Sequence, residues 1–303
     1  MAKKISGKRV IQILGGIAVL GIIGAFFIQV PEIDPRDLLP SRAVYETVPP
    51  EFPDFSRPAV LVLNKANGFV HKDAIPAADE MLRKIAEQQG WDIFITDNAA
   101  SHNTRDLSRF ILVVWNNTSG DILTEVQRAD FKAWIENGGG WLGMHNAGGD
   151  FYYEWDWYVE SLIGTQFIGH TQREQFRDAD VLVADSELKI TDHIPPVWRI
   201  AREEWYAFKN STRAKGHEIL LVADESSYME ESEGRTGLSF KNGVFYMPFH
   251  MEGEHPLVWR HQLQKGRAFY SSIGHQAATY SLPEYQELIT KAMQWVRSDM
   301  NSK

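Results

Sequence analysis

The chain of 303 residues is 44% hydrophobic and 23% charged, a composition that predicts a packed core and excludes global disorder. Its 31 Lys and Arg against 40 Asp and Glu give a formal net charge of -9, which argues against a nucleic-acid-binding protein, because such proteins present a basic face. Cysteine is absent, so disulfides, thiolate metal sites and a cysteine nucleophile are excluded.

The N-terminal residues have the pattern of a membrane anchor. Residues 1–9 contain four basic side chains and precede an uncharged apolar stretch at residues 10–30, which as a helix is about 31 Å long and matches a bilayer core. A cleaved signal peptide is the alternative, but its apolar region is usually shorter and ends at a small-x-small site. Since the positive end stays in the cytoplasm, we expect a basic cytoplasmic tail, one transmembrane signal anchor and an extracytoplasmic body, periplasmic in a Gram-negative cell.

The stretch after the anchor is rich in proline. Six prolines fall within residues 31–57, a density that favours an extended tether over a packed element. Residues 58–299 show no internal repeat and no break in composition. We expect them to form a single domain.

Apolar runs typical of buried strands alternate with helical spacing along this domain. The pattern predicts strands at 59–64, 92–96, 110–115, 141–144, 219–223, 244–249 and 268–273, and helices at 75–89, 124–137 and 283–297. Such alternation predicts an α/β fold with an open, mostly parallel, doubly wound sheet.

Three consecutive glycines, at 138–140, lie between a predicted helix and a predicted strand. At that place they favour a helix C-cap and a turn. A nucleotide-binding loop would have its glycines after a strand and before a helix. We therefore expect no nucleotide cofactor.

Polar side chains follow several predicted strands at the edge where a doubly wound sheet binds its ligands. They are Asn116, Asp150 and three histidines, His71, His145 and His275. Isolated histidines are usually structural, but three at one edge make a functional cluster equally plausible.

Short motifs in a fixed order resemble the ThuA-like (trehalose utilisation) family, whose fold is similar to class I glutamine amidotransferases and is flavodoxin-like. The matching stretches are 62–71, 138–145, 153–158 leading to 167–170, 203–206, 255–259 and 266–275. Two details are less secure: His170 is followed by Thr171 where relatives often have proline, and Glu252 and Glu254 in an acidic stretch are expected to face solvent.

The resemblance places His145 on the strand-to-helix turn that carries the nucleophilic cysteine of the amidotransferases. His275 falls where their late-strand histidine partner lies. Without cysteine the chain is not a glutamine amidotransferase. We expect His145 to project into the ligand crevice at the rim, outside the core, so that its replacement leaves folding nearly unaffected.

Family members are associated with sugars oxidised to keto forms, which implies a membrane-anchored enzyme of carbohydrate metabolism. We expect acid–base chemistry of the lyase, isomerase or hydrolase type on a small sugar or keto-sugar. The expected catalytic residues are His145, His275, His71 and Glu204. The expected substrate-binding residues are Asn116, Asp150, Trp157, Tyr158 and Tyr206.

A divalent metal such as zinc is expected at His71, His145 and His275, because neutral imidazole is a good zinc ligand. Four alternatives stay open. The aromatic residues can belong to the core, and Glu204 can lie on an exposed strand. The domain can also be an inactive carbohydrate-binding or scaffold module, or a metal-dependent hydrolase of another substrate class.

Overall fold

The computed structural model describes residues 43–171, 174–184, 189–229, 239–241, 244–246, 251 and 253–297. Among these residues, none of the helices combines the length and the apolar character needed to cross a bilayer. The predicted tail at 1–9 and anchor at 10–30 lie outside the described residues.

The first half of the domain alternates strands and helices. In chain order it contains β1 (Ala59–Leu63), α1 (Ala74–Gln89), β2 (Asp92–Thr96), α2 (Thr104–Leu107), β3 (Phe110–Asn116), α3 (Glu125–Glu136) and β4 (Gly140–Met144). The strands β1, β3 and β4 are buried along their whole length, as expected for parallel strands covered on both faces.

The second half consists mainly of strands. It contains β5 (Phe167–His170), β6 (Phe176–Val183), β7 (Val197–Glu204), β8 (Tyr206–Phe208), β9 (Glu218–Asp224), β10 (Ser239–Lys241), β11 (Val244–Tyr246), β12 (Pro256–Leu263), β13 (Gly266–Ser271) and α4 (Pro283–Val296). The strands β5 and β8 pair antiparallel in a small sheet, and so do β10 and β11.

Within the described part of the chain, the main sheet has nine strands in the order β2-β1-β3-β4-β13-β12-β9-β6-β7. The pairs from β2 to β13 are parallel and those from β13 to β7 are antiparallel. The predicted α/β fold with a parallel sheet is thus confirmed for one half, and an antiparallel half extends it.

Helices cover both faces of the sheet. Buried side chains of α1 and α4 pack into one hydrophobic cluster, and those of α3 pack into the other. The predicted start of α3 is confirmed by a capping box, in which Thr124 and Gln127 each bond the other's backbone N–H, an arrangement that contributes about 1 kcal/mol.

The three glycines form the turn into β4, which begins at Gly140, and they allow close packing there. Gly138 has a φ of 115°, a conformation that favours glycine. A Cβ on Gly140 would lie 1.9 Å from the carbonyl oxygen of Val296 at the end of α4. The predicted turn is confirmed.

Residues 43–57 are packed against the domain, which corrects the expectation of a free tether for this part of the 31–57 segment. Glu46 forms a 2.5 Å ion pair with Lys65, whose side chain is only 10% exposed. The ring of Phe52 packs against Phe94 and Phe110. Proline keeps the segment extended, but its acidic and aromatic side chains fit the domain surface. Residues 31–42 lie outside the described residues.

Candidate active site

Four side chains from distant parts of the chain bring one donor atom each to a common centre at the carboxyl ends of the parallel strands. The atoms are Nε2 of His71, Nε2 of His145, Oε2 of Glu204 and Nδ1 of His275, and the ligand atoms of these residues all lie within 4.8 Å of one another. We call these four atoms the donor ring.

Consecutive atoms of the donor ring are close to one another. His71 Nε2 lies 3.2 Å from His145 Nε2 and 3.2 Å from His275 Nδ1. Glu204 Oε2 lies 2.9 Å from His275 Nδ1 and 3.4 Å from His145 Nε2. The structure therefore brings together the four residues predicted to be catalytic.

His145 lies on a tight turn that follows β4 directly. Its φ is 42°, a left-handed conformation that costs free energy for a residue other than glycine and is common at functional sites. The turn directs the imidazole into the donor ring, as the comparison with a nucleophile turn predicts. The side chain is fully buried, however, so the expectation of an exposed residue outside the core is wrong.

The hydrogen bonds of His145 define its tautomer. Nδ1 lies 2.7 Å from the carbonyl oxygen of Ser272; since a carbonyl only accepts, Nδ1 carries the proton and donates it. The lone pair of the neutral ring is then on Nε2, in the donor ring. Tyr206 stacks on the imidazole at 4.3 Å between ring centroids and covers that side of it.

His71 is held as a neutral imidazole. Its pKa lies well below the ordinary value because the ring is buried and because the imidazoles of His145 and His275 are adjacent. Its Nδ1 is buried and has no hydrogen-bond partner among the described residues. A neutral imidazole in such surroundings is suited to binding a cation.

Glu204 supplies the negative charge of the site. Burial favours its protonated form, but the imidazoles of His170 and His275 outweigh that effect and hold its pKa well below the ordinary value. Its Oε1 accepts a hydrogen bond from Gln175 and lies 3.3 Å from His170 Nδ1. The carboxylate is 2% exposed, so the alternative of an exposed strand position is wrong.

The donor ring has the composition and spacing of a metal site. Donors that share one zinc ion in a tetrahedron, at bonds of about 2.0–2.1 Å, lie about 3.3 Å apart, close to the separations found here. Three imidazoles and a carboxylate suit zinc and also iron, cobalt, nickel or manganese. The residues fit a divalent metal, and Glu204 joins the three predicted histidines, but nothing identifies the metal as zinc.

Two residues predicted to bind substrate are part of the interior. Asn116 is fully buried and donates to Asp79 and to the carbonyl oxygen of Ile75, both in α1. Tyr158 is 3% exposed and donates to the carbonyl oxygen of Ala147 within an aromatic cluster. Because their polar groups are satisfied inside the fold, both predictions are wrong.

The other predicted substrate-binding residues differ in position. Tyr206 covers His145, as described above. Asp150 follows the His145 turn and accepts a hydrogen bond from the backbone N–H of Gly120; burial raises its pKa to about 6 despite that bond. Trp157 is half-buried, and the ammonium of Lys132 lies 5.7 Å from its ring centroid.

Two consecutive exposed aromatic side chains follow the His145 turn and have no counterpart in the sequence prediction. Phe151 and Tyr152 are 63% and 73% exposed. A chain of ring contacts runs from Phe151 to Phe167, then to Tyr206, and so to His145. The sequence signal for them is a pair of consecutive aromatic residues after Gly148, Gly149 and Asp150.

The described residues of the acidic stretch before β12 bond to other protein groups and are not part of the donor ring. Glu254 forms a 2.7 Å ion pair with Arg213, and His255 contacts Glu225 and the carbonyl oxygen of Tyr206. Glu252 lies outside the described residues.

The comparisons with known proteins agree with this fold. The profile of the ThuA family, described as trehalose utilisation, matches residues 59–296, and the chain therefore belongs to that family. A search of curated proteins gives no significant match.

Solved structures resemble the chain at low sequence identity. A ThuA-like protein from Bacteroides uniformis is 23% identical with a TM-score of 0.64, over 82% of this chain and 95% of that one. Another from Parabacteroides merdae is 17% identical with a TM-score of 0.55, over 79% and 89%. A cytoplasmic protein from Salmonella typhimurium is 9% identical with a TM-score of 0.52, over 79% and 100%. At these identities the likeness concerns the fold.

Proposed function

We propose that the protein is an enzyme of carbohydrate metabolism that acts on a sugar or keto-sugar by acid–base chemistry at the donor ring, with a divalent metal as cofactor. The observation that carries this proposal is the convergence of His71, His145, Glu204 and His275 at 2.9–3.4 Å between neighbouring donor atoms. Membership of the trehalose utilisation family supports a role connected with carbohydrates.

The chemistry of these groups supports the proposed reaction class. A ketone acidifies the adjacent C–H bond, so that a base can remove the proton while the electron pair moves to the carbonyl oxygen. A bound metal would polarise that oxygen. The lone pair of His145 Nε2 faces the same centre, where it would either accept that proton or hold the metal. The negative charge of Glu204 would offset the charge of a bound cation or of an imidazolium.

The experiment compares keto-sugars with their unoxidised parents in heavy water. We expect deuterium to replace hydrogen on the carbon next to the ketone, at a rate that falls after metal removal and recovers when a divalent metal is restored. Hydrolysis of ester or amide substrates, without any action on keto-sugars, would favour the alternative of a metal-dependent hydrolase.

A second candidate is a carbohydrate-binding or scaffold module, which the complete burial of His145 favours, because substrate must reach a side chain that is closed off from solvent. This module would bind sugar without exchange or turnover. Calorimetric titration with the same sugars, run beside the exchange assay, separates the two candidates.

We further propose that residues 10–30 anchor the protein in the membrane with the domain outside the cytoplasm. The charge and length of the segment support this proposal. Protease added to cells with an opened outer layer should release a soluble fragment beginning between residues 31 and 58. A mature protein that lacks residues 1–30 in untreated cells would show a cleaved signal peptide instead.

A further inference from the structure

A second buried glutamate lies immediately beside the donor ring. Glu203 is fully buried, and its Oε1 accepts the backbone N–H of Glu204 at 2.8 Å and that of His275 at 3.0 Å. Its Oε2 accepts the hydroxyl of Thr279. One carboxylate therefore bonds the main chain of two residues that supply donor atoms.

These two residues need such a connection because the sheet does not provide one. Glu204 ends β7, the edge strand of the antiparallel half, whereas His275 follows β13, and β12, β9 and β6 lie between those strands. Close to its end β7 is irregular: Arg202 has a φ of 51°, and the pairing of β6 with β7 shifts register between Arg177 and Ala179. The register of β7 thus changes just before Glu203 and Glu204, which pair with Arg177 and Phe176 of β6.

The groups that bond Glu203 are hydrogen-bond donors, and a carboxylate is a pure acceptor. A fully buried carboxylate costs several kcal/mol unless its oxygens are satisfied. An apolar residue would fill the same space without that cost, but it would leave the two backbone N–H groups unpaired. The arrangement is therefore suited to fixing the position of those N–H groups.

We propose that Glu203 is a positioning residue that holds Glu204 and His275 at ligand distance from each other. The inference rests on the proposed metal site and deepens it, because it assigns the geometry of the site to a residue that contributes no donor atom. Partners of this kind change metal affinity without touching the metal.

The test is the affinity of the purified full-length chain for Zn²⁺ alone, measured by calorimetry beside thermal melting. Zinc is a suitable probe because sites of this composition bind it well whichever metal they hold in the cell. Glu203→Ala should weaken binding about 10- to 100-fold. Glu203→Gln should stay within about threefold of the wild type, because its amide oxygen still accepts both N–H groups and its NH₂ can donate to Thr279.

Two further variants separate position from charge and from stability. Glu203→Asp keeps the charge but is too short to reach both segments, so it should bind zinc more weakly than Glu203→Gln. Asp106→Ala removes a buried carboxylate that is not part of the donor ring and is bonded to Asn103 and Arg105; it should lower the melting temperature and leave zinc affinity unchanged.

The outcomes are distinct. Wild-type affinity in a folded Glu203→Ala overturns the positioning role while leaving the metal site intact. Equal weakening in the Gln and Ala variants also overturns it, since the charge would then matter. If Glu203→Ala does not fold, the zinc affinities of Glu203→Asp and Glu203→Gln decide. A Glu203→Asp protein that binds zinc as tightly as Glu203→Gln contradicts the inference. If the wild-type chain binds no zinc, the proposed metal site fails, and the positioning role fails with it.

Discussion

Nε2 of His71 lies 3.2 Å from Nε2 of His145, although the two residues follow strands that are separated by β3 in the sheet. Since His145 donates its Nδ1 proton to Ser272, its Nε2 is an acceptor in the neutral ring. Two imidazole nitrogens at this distance repel each other unless a proton or a cation lies between them. Because burial lowers the pKa of His71, its ring is neutral, and either a proton on its Nε2 or a cation bound by the donor ring would satisfy both nitrogens.

Replacement of His145 by alanine should reduce turnover of a keto-sugar by about 100-fold or more, because the site then loses either its general base or one of the ligands that would hold the metal. Because the residue is fully buried, the melting temperature should also fall, in contrast to the expectation from sequence. His193→Ala, a half-buried histidine bonded to Glu284, is the control and should keep full activity. An active, folded His145→Ala protein would refute the assignment.

Metal content should depend on each residue of the donor ring. The wild-type chain, dialysed against a divalent metal, should retain about one equivalent by elemental analysis. Glu204→Gln should lose most of it, because the site then lacks its negative charge and keeps only neutral ligands. His255→Gln alters a histidine outside the donor ring and should retain the metal. Equal metal content in Glu204→Gln and the wild type would place any ion elsewhere.

Stability should fall on mild acidification because of a second pair of histidines. His217 and His261 stack at 3.7 Å between ring centroids, and burial lowers their pKa values to about 3 and about 4. Both values are below the unfolded value near 6.5, so the unfolded chain binds more protons between these limits. The contribution of these two neutral histidines to the free energy of unfolding should therefore be complete above pH 6.5 and should decrease as the pH drops towards 4.

The magnitude follows from linkage. Each such histidine should reduce the free energy of unfolding by up to about 2 kcal/mol between pH 7 and pH 5. Urea titrations at the two pH values measure this difference in the wild type and in His261→Gln, where one titrating group is gone. An undiminished pH effect in the variant would mean that other groups cause it.

The exposed aromatic residues should contribute to sugar affinity. Replacing Phe151 and Tyr152 together by alanine should weaken binding of a keto-sugar by about tenfold, since aromatic packing contributes roughly 0.5–1.5 kcal/mol beyond the buried area. Calorimetry measures the change. Val126→Ala, which alters an equally exposed apolar residue on α3, should bind like the wild type. Unchanged affinity in the double variant would remove these residues from the site.

Residues 43–57 should stabilise the domain. Removal of the Glu46 carboxylate leaves the buried Lys65 without its ion pair, and an uncompensated charge of this kind costs about 3–5 kcal/mol when fully buried. Glu46→Gln should therefore lower the melting temperature by several degrees, whereas Glu51→Gln at an exposed position should not. Identical melting of the two variants would show that the segment is an unpacked tether after all.

Much of the parallel half of the sheet could be predicted from sequence. The strands β1 and β3 are continuous apolar runs because both faces are covered, and α1 ends at Gly90, which adopts the left-handed conformation. Such local signals depend on burial and on helix capping, which the sequence records directly.

The antiparallel half was largely missed, although it carried a weaker signal. In β7 the buried Trp198 and Ile200 alternate with the exposed Val197 and Arg199, the period of a strand with one covered face. The run is short and ends in Glu203 and Glu204, which resemble solvent-facing residues in sequence. Their burial depends on contacts with the segment after β13, and no local pattern predicts such contacts.

The candidate site was predicted in part for the same reason. Histidines after parallel strands meet at one edge of a sheet, so the approach of His71, His145 and His275 follows from topology. The interior positions of Asn116 and Tyr158 depend on which way a side chain turns at the end of its element. Tertiary packing decides that direction.

Catalysis at the donor ring is tested most directly by the rate of deuterium incorporation next to the ketone of a keto-sugar in heavy water, measured by NMR for the wild type and for His71→Ala. We expect exchange by the wild type and a loss of about 100-fold or more in a folded His71→Ala, because the donor ring then lacks one of its four members. Exchange at equal rates in the two proteins, or no exchange by a metal-loaded wild type, would contradict it.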